Sequence, residues 1–526
     1  MTALFPANPR RFFEAGALVA LACIAFASVY IRLGFLAHSH AGELATLLDR
    51  CYRVSLGQVI YRDFYCFTGP VTYFTHGLLY RIFGAQWIVS RYYLALQEAV
   101  TVALTFVLLR RFLALSIMAS AAAAVATLLW SPWIIGLPAY DVEAGFYTLA
   151  AVAALFWLWE RPGRWQAGLL GGACALAFLS KQDRGAVAML LGLAGLLAVA
   201  ARPCSRRSLI GLLAAYVVGA ALPIALLMFY LGIHHSMGSA WYWLVLRSLD
   251  HAHNRNYSLM TDFGHKVYLT VFGGRSQVGK LLLGVYAAAT VMPWLGRRMD
   301  SRPGNRWLRD TMIGLLMLGG AYVGFLSHEG SQFELHQTCL GCAFGLIGSA
   351  WHRAQLRRRM APVLAGALLA GAALLTLRSF HYWVPDVRRE GQRGFASLES
   401  TAYGDFKISA AQAHVLNTVI RFIRARVKPG EGVFFLPPDF YIDFYFGLGL
   451  KPEQPLTASW EWRDDDAPAV LAALDSGRIH WVFLFGDKPE PTVLLDQINR
   501  QFIKVARLDE GVIVLHRKTP RASVAY

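Results

Sequence analysis

Apolar residues collect in long runs parted by short, Arg-rich intervals. The runs fall at about 12–36, 87–109, 112–131, 143–159, 166–180, 185–201, 208–232, 278–296, 311–327, 336–352 and 361–380. Most approach the roughly 20 residues that cross a bilayer as a helix, so the pattern predicts about eleven membrane crossings. Beyond residue 380 the rhythm changes. Strand-like runs stand at Gly432–Leu436 and His480–Phe485, and KVAR (504–507) with GVIVLHR (511–517) predicts a hairpin about a turn near Asp509. Helical patterns fit 409–427, 467–476 and 492–502, between turn clusters such as KPGEG and GDKPEP. Alternating strands and helices predict a small α/β domain. The expected architecture is a polytopic α-helical membrane part, 1–380, and an α/β domain, 381–526. A long first exterior loop covers 37–86. Within it GPVTYFTHGLLYRIFG (69–84) is apolar but short and contains His76 and Arg81, which predicts an amphipathic helix in the membrane interface.

Composition supports the membrane reading. Of 526 residues 56% are hydrophobic and 16% charged, whereas soluble domains carry about a quarter charged. The net charge of +17 is not spread evenly. Arg110 and Arg111, Arg161 and Arg164, Arg202 to Arg207, Arg297 to Arg309, and Arg353 to Arg359 all fall in alternate loops. That is the positive-inside pattern, with the N-terminus cytoplasmic and residues 381–526 outside. Arg10 and Arg11 precede the first run, which is long enough to be an uncleaved anchor. There is no zinc-finger spacing and no basic helix, which speaks against nucleic acid as a partner. The seven cysteines are too few for a disulfide scaffold. Cys339 and Cys342 read as packing residues, and Cys51 and Cys66 share an exterior loop where a bridge is permitted.

The candidate chemistry lies in the exterior loops. Glu43, Asp49 and Asp63 sit in the first and Asp141 and Glu143 in the second. Lys181, Asp183 and Arg184 form a tight turn, KQDR, and His328, Glu329, Glu334 and His336 surround the entry to the tenth run. Charge at that depth is costly unless paired, hydrated or used. Carboxylates can deprotonate a hydroxyl or hold a divalent cation, and Lys and Arg can hold a phosphate. Together they suit transfer of a group from a phosphate-bearing donor, and the apolar flanks suit a donor with a lipid tail. Each residue also has a plainer reading. Glu43 could cap a helix, Asp63 could pair with Arg62 or Arg53, and Asp141 or Glu143 could cap the fourth span. Lys181 and Arg184 could snorkel, and His328, Glu334 and His336 could order a helix end or hold a metal. Trp241, Tyr242 and Trp243 read as an interfacial aromatic belt.

The segment 42–91 carries Gly57, Tyr61, Asp63, Phe64, Gly69, Pro70, Phe83, Gly84 and Arg91 in the order G-x-x-x-Y-x-D-F, G-P, F-G, Arg. It resembles the start of the polyprenyl-phosphate-sugar-dependent glycosyltransferases of the GT-C class. Relatives there include the protein O-mannosyltransferases, the lipid A aminoarabinose transferases and the rhizobial galacturonosyltransferases. The stretch AGLLGGACALAFLSKQDRG (167–185) resembles that family's glycine-rich helix and Lys-containing turn. The resemblance implies a glycosyltransferase of the bacterial inner membrane, with a polyprenyl-phosphate sugar as donor and a glycan, lipid or protein as acceptor. It implies Glu43 as general base and Lys181 and Arg184 at the donor phosphate. Asp63, Asp141 and Glu143 would stand on the acceptor or metal side, and His328, Glu334 and His336 would line the cavity. The family usually has Asp where Glu43 stands, often in an acidic pair, and here Leu44 follows. No cofactor is required by the residues, and a divalent metal ion stays open. The rival classes are a transporter or flippase of a lipid-linked substrate, and a non-catalytic scaffold. A transporter should show repeated halves and broken midplane helices, and the chain has no sustained repeat.

Overall fold

The computed structural model describes residues 9–34, 41–130, 140–201, 209–247, 277–295, 306–327, 338–353, 394–437, 442–455, 457, 466–486, 492–508 and 511–518. The apolar run 361–380, the boundary at 381, and His328, Glu334 and His336 lie outside the described residues. So does the side chain of Glu43.

The other ten apolar runs all fall on helices. These are α1 (Pro9–Arg32), α4 (Trp87–Phe112), α5 (Ile117–Trp130), α6 (Tyr140–Glu160), α7 (Arg164–Ser180), α8 (Gln182–Ala200), α9 (Leu209–Ile233), α11 (Gln277–Leu295), α12 (Arg306–Ser327) and α13 (Leu340–Arg353). Among the described residues five, in α1, α4, α6, α8 and α9, are long and apolar enough to cross a membrane. α9 shows how such a helix meets lipid: Ile210, Val217, Val218, Leu222, Leu226 and Phe229 are all exposed. Its other side packs closely on α7, where Gly171 and Gly219 let the two backbones approach. α7 in turn packs on α6 and α8, α1 lies along α4, and α11 lies along α12.

Between α1 and α4 stand α2 (Ala41–Ser55) and α3 (Val71–Phe83), in the stretch expected to form the first exterior loop. α3 is amphipathic as expected. It buries Thr72, Tyr73, His76, Gly77 and Tyr80 and exposes Leu78, Ile82 and Phe83. A short helix, α10 (Met237–Trp241), and a π-helical turn, Tyr242–Leu246, follow α9.

The C-terminal segment carries two sheets. β1 (Phe395–Ser397) pairs antiparallel with β2 (Lys407–Ser409). The larger sheet has four strands in the order β3-β4-β6-β5, from β3 (Gly432–Leu436), β4 (Ile479–Leu484), β5 (Phe502–Arg507) and β6 (Ile513–Arg517). β3 is parallel to β4, and the predicted hairpin is the antiparallel β5–β6 pair. The segment's helices are α14 (Ala410–Arg426), α15 (Phe444–Leu448), α16 (Ala467–Asp475) and α17 (Thr492–Gln501). α14 opens on a Ser409 cap whose hydroxyl accepts from the Gln412 amide. β3, although an edge strand, and β4 are buried almost throughout, so this parallel pair is covered on both faces.

One apolar core runs without a break from this sheet into the first exterior loop. Phe446 of α15 packs against Tyr52 of α2, Tyr80 of α3 and Tyr403, and Trp87 packs edge-on against Phe406. The C-terminal segment is therefore built onto α2, α3 and the start of α4.

The loop meets the bundle closely at Gly69. A Cβ on Gly69 would lie 1.9 Å from the Leu179 carbonyl oxygen at the end of α7. Gly69→Ala should therefore cost about 1–3 kcal/mol of stability through overpacking. Gly16→Ala, on an open stretch of α1 with nothing within 4 Å, should be neutral or slightly stabilising. Thermal unfolding of the two variants in detergent checks the contrast.

Candidate functional site

The ends of α2, α3, α4, α6, α7 and α8 that the sequence placed outside meet at one end of the bundle. α2 ends where Gly57 takes a positive φ of 81°, a conformation that favours glycine. The chain then turns through Tyr61–Phe64 and reaches Gly69-Pro70, from which α3 starts. Gln182, in the first turn of α8, donates to the Phe67 carbonyl at 2.9 Å. The first loop and the KQDR stretch are thus in direct contact. The stretch is tighter than the sequence suggested. Lys181 alone separates α7 from α8, and Gln182, Asp183 and Arg184 already belong to the first turn of α8.

Lys181 and Asp141 are both buried and form an ion pair of 2.7 Å. Arg184, also buried, donates to the Asp141 backbone carbonyl at 3.0 Å, with its Nε 3.7 Å from the carboxylate. Two cations and one carboxylate therefore share a site from which water is largely excluded, and each raises the cost of losing the other. Two residues on, Glu143 is fully buried. Its carboxylate accepts from the Thr72 hydroxyl at 2.8 Å and the Tyr93 hydroxyl at 3.1 Å. Thr72 is in the first turn of α3, so this contact fixes α3 to α6.

The other acidic residues of the first loop are held within it. Asp49 takes both of its hydrogen bonds from Arg53 Nε, at 2.9 and 2.8 Å, one helical turn away. Asp63 accepts from the Val59 amide at 2.7 Å and from Arg62 at 2.8 and 3.0 Å. Partial burial pushes the Asp63 carboxyl up, but the Arg62 and Val59 hydrogen bonds outweigh it and hold the group below the usual carboxylate range. Asp63 shapes the turn. Arg91 also ties structure together: it reaches Asp405 at 2.5 Å, the Tyr30 carbonyl at 2.9 Å and the face of the Tyr30 ring. Cys51 and Cys66 are both buried and form no disulfide.

Of the predicted site residues, Asp141, Lys181 and Arg184 come together, whereas Glu143, two residues from Asp141, binds Thr72 and Tyr93 instead. Asp63 stays with its own loop. Glu43 stands in the first turn of α2, at the same end of the bundle. Among the described residues no three His, Cys, Asp or Glu side chains gather as metal ligands. Sequence reasoning did not single out Thr72, Tyr93 or Arg50. Hydroxyls leave little trace in a pattern of charges, although Thr72 directly follows the Pro70-Val71 start of α3.

These features define a class. The chain is a helical membrane protein with a buried charged site at one end of the bundle and a C-terminal segment built onto α2, α3 and the start of α4. No family model matches the chain, and no curated protein matches it in sequence. Solved structures do match its fold. One is ArnT from Cupriavidus metallidurans bound to undecaprenyl phosphate, at 14% identity and a TM-score of 0.50, over 96% of this chain and 98% of that one. Another is the arabinofuranosyltransferase AftD from Mycobacteria, at 14% identity and a TM-score of 0.50. There the match takes in 98% of this chain and 40% of the longer protein. The chain thus shares its fold with ArnT and AftD.

The buried pair makes a sharp prediction. Asp141→Asn removes the carboxylate that Lys181 binds at 2.7 Å and that lies 3.7 Å from Arg184, and should cost about 3–5 kcal/mol. Adding Lys181→Met should recover part of that loss, so the cycle should be clearly non-additive. Unfolding in detergent measures it.

His76 makes a second. Burial alone lowers it to about 3, against an ordinary 6.5, and Nδ1 faces the Ser90 hydroxyl at 2.9 Å. A histidine depressed in the folded state contributes stability above its unfolded pKa and loses it as pH falls towards the folded value. The thermal midpoint should therefore drop as pH falls from 6.5 towards 4. His76→Gln should flatten that slope by about 1.4 kcal/mol for each pH unit.

Proposed function

We propose that this protein is a membrane glycosyltransferase that moves one sugar from a polyprenyl-phosphate donor to a hydroxyl of a glycan, lipid or protein acceptor. It works at the outer face of a bacterial inner membrane, with its N-terminus cytoplasmic and residues 381–526 periplasmic. The observation that carries this reading is the meeting of α2, α3, the Asp141–Lys181–Arg184 site and the C-terminal segment at one end of the bundle. It does so in the fold of ArnT, which was solved with undecaprenyl phosphate.

In this mechanism Glu43 takes the proton from the acceptor hydroxyl as its oxygen bonds to the anomeric carbon. The bond from that carbon to the phosphate oxygen breaks, and the electron pair leaves with the lipid phosphate. A single displacement inverts the anomeric centre. Lys181 and Arg184 supply positive charge at the leaving phosphate. Burial supports the choice of base. A general base must reach the proton it removes, and Asp49, Asp141 and Glu143 are all buried and already hydrogen-bonded. Asp63 is committed to Arg62 and the Val59 amide.

Incubation of the purified protein with a panel of lipid-phosphate sugars and acceptors, followed by mass analysis of released lipid phosphate, tests the reaction. Glu43→Gln should lower transfer by about 10²–10⁴-fold with the protein still folded. Unchanged transfer would remove Glu43 from the mechanism. A flippase would instead move lipid-linked sugar across reconstituted vesicles and release no lipid phosphate.

A further inference from the structure

α2 is gripped along its length by a short irregular stretch from the far end of the chain. The Thr46 hydroxyl points to the Thr457 carbonyl at 3.5 Å, and Arg50 Nε donates to the Thr457 hydroxyl at 2.8 Å. One turn on, Arg53 Nη1 donates to the Gln454 carbonyl at 2.7 Å. Past the helix end, Gln58 donates to the Pro452 carbonyl at 3.0 Å and the Tyr65 amide to the Pro455 carbonyl at 3.1 Å. Thr46, Arg50 and Arg53 are spaced to lie on one face of α2. Position 43 precedes Thr46 and Arg50 by three and seven residues, on the same stripe of the helix. All three residues, with Gln454 and Thr457, are buried.

The grip also extends inward. Arg50 Nη1 donates to the Tyr73 hydroxyl at 3.2 Å, and that hydroxyl shares a 2.6 Å hydrogen bond with Thr68. Tyr73 is next to Thr72, which binds Glu143. Arg50 is thus the joint between the C-terminal stretch, α2 and the start of α3. An arginine donates in a fixed planar fork, so its two partners set the angle between the elements that carry them.

We infer that Pro452, Gln454, Pro455 and Thr457 form a positioning device for α2, acting through Thr457 and Arg50 to hold the register of the helix that carries Glu43. The C-terminal segment is then part of the catalytic unit. Neither Thr457 nor Arg50 needs to touch substrate; both act through α2. The inference rests on Glu43 being the base. A base displaced by an ångström loses turnover before it loses donor binding.

The test uses the full-length protein in detergent or nanodiscs. Thr457→Val keeps the volume and removes the hydroxyl that receives Arg50, and Thr457→Ser restores it. Amide hydrogen exchange of α2 residues 45–50 should accelerate in Thr457→Val, return towards the original rate in Thr457→Ser, and stay unchanged in the α7–α8 peptides. In the transfer assay Thr457→Val should lower kcat at least tenfold with the donor KM within twofold, and Thr457→Ser should recover most of the kcat. Unchanged exchange in α2 would overturn the inference whatever the activity. Faster exchange with an unchanged kcat would overturn it too, because the stretch would then hold the helix without serving the reaction. Should the unaltered protein transfer none of the sugars offered, the proposed function is what fails. Exchange would still decide whether the stretch fixes α2.

Discussion

Buried charge has to be answered by charge, and that constraint organises this end of the molecule. Asp141 at the start of α6 is set against Lys181 between α7 and α8, and Arg184 closes over its backbone. Each group comes from a different helix end. The pairing therefore fixes three helices relative to one another where apolar packing between lipid-facing surfaces contributes little direction. The same rule recurs where the C-terminal segment is tied down. Arg91 of α4 meets Asp405, and Arg247 meets Asp466 at 2.6 Å. The Arg247 guanidinium also lies over Trp243, whose ring stacks on Tyr65 of the first loop. Long-range ion pairs, few in number, place elements that are distant in sequence.

Apolar packing then supplies most of the cohesion. Tyr52, Tyr80, Trp87, Tyr403, Phe406 and Phe446 form a shared aromatic core between the first loop and the C-terminal segment. Aromatic pairs of this kind add about 0.5–1.5 kcal/mol each beyond the area they bury. The polar contacts along α2 sit inside this apolar surround, where their direction counts for more than it would in water.

Much of this was legible in the sequence because it rests on period and on charge sign. Ten of the eleven apolar runs fall on helices with ends displaced by only a few residues, and the strands at Gly432–Leu436 and the β5–β6 hairpin fell where alternation and turn residues placed them. Loop parity put the first loop and KQDR on one side, and their meeting, made by Gln182 at the Phe67 carbonyl, was a further expectation. What stayed hidden was pairing. Nothing in the residues around Asp141 distinguishes a helix cap from a partner for Lys181, because the deciding fact is a contact across 40 positions. Thr72, Tyr93 and Thr457 were invisible for a related reason. A hydroxyl is ordinary in any segment and acquires a role only from what the fold sets opposite it. The short strands β1 and β2 and the five-residue helix α15 are too brief to show a period at all.

The order of the chain adds a last consequence. α2 is 15 residues long and carries Asp49, Arg50 and Arg53 on surfaces that end up buried. A helix of that length is marginal by itself in water, and its buried arginines are unfavourable until their partners arrive. Asp49 and Tyr73 answer Arg53 and Arg50 in part from nearby, but Gln454 and Thr457 are made about 400 residues later. The Lys407 amide, which bonds the Gly34 carbonyl at the end of α1, belongs to the same late segment. The membrane helices can therefore pack as they are made, whereas the first loop reaches its final form only when the C-terminal segment closes on it. A site assembled in this way is complete only in a fully synthesised chain, and an unfinished chain lacks the contacts that fix α2.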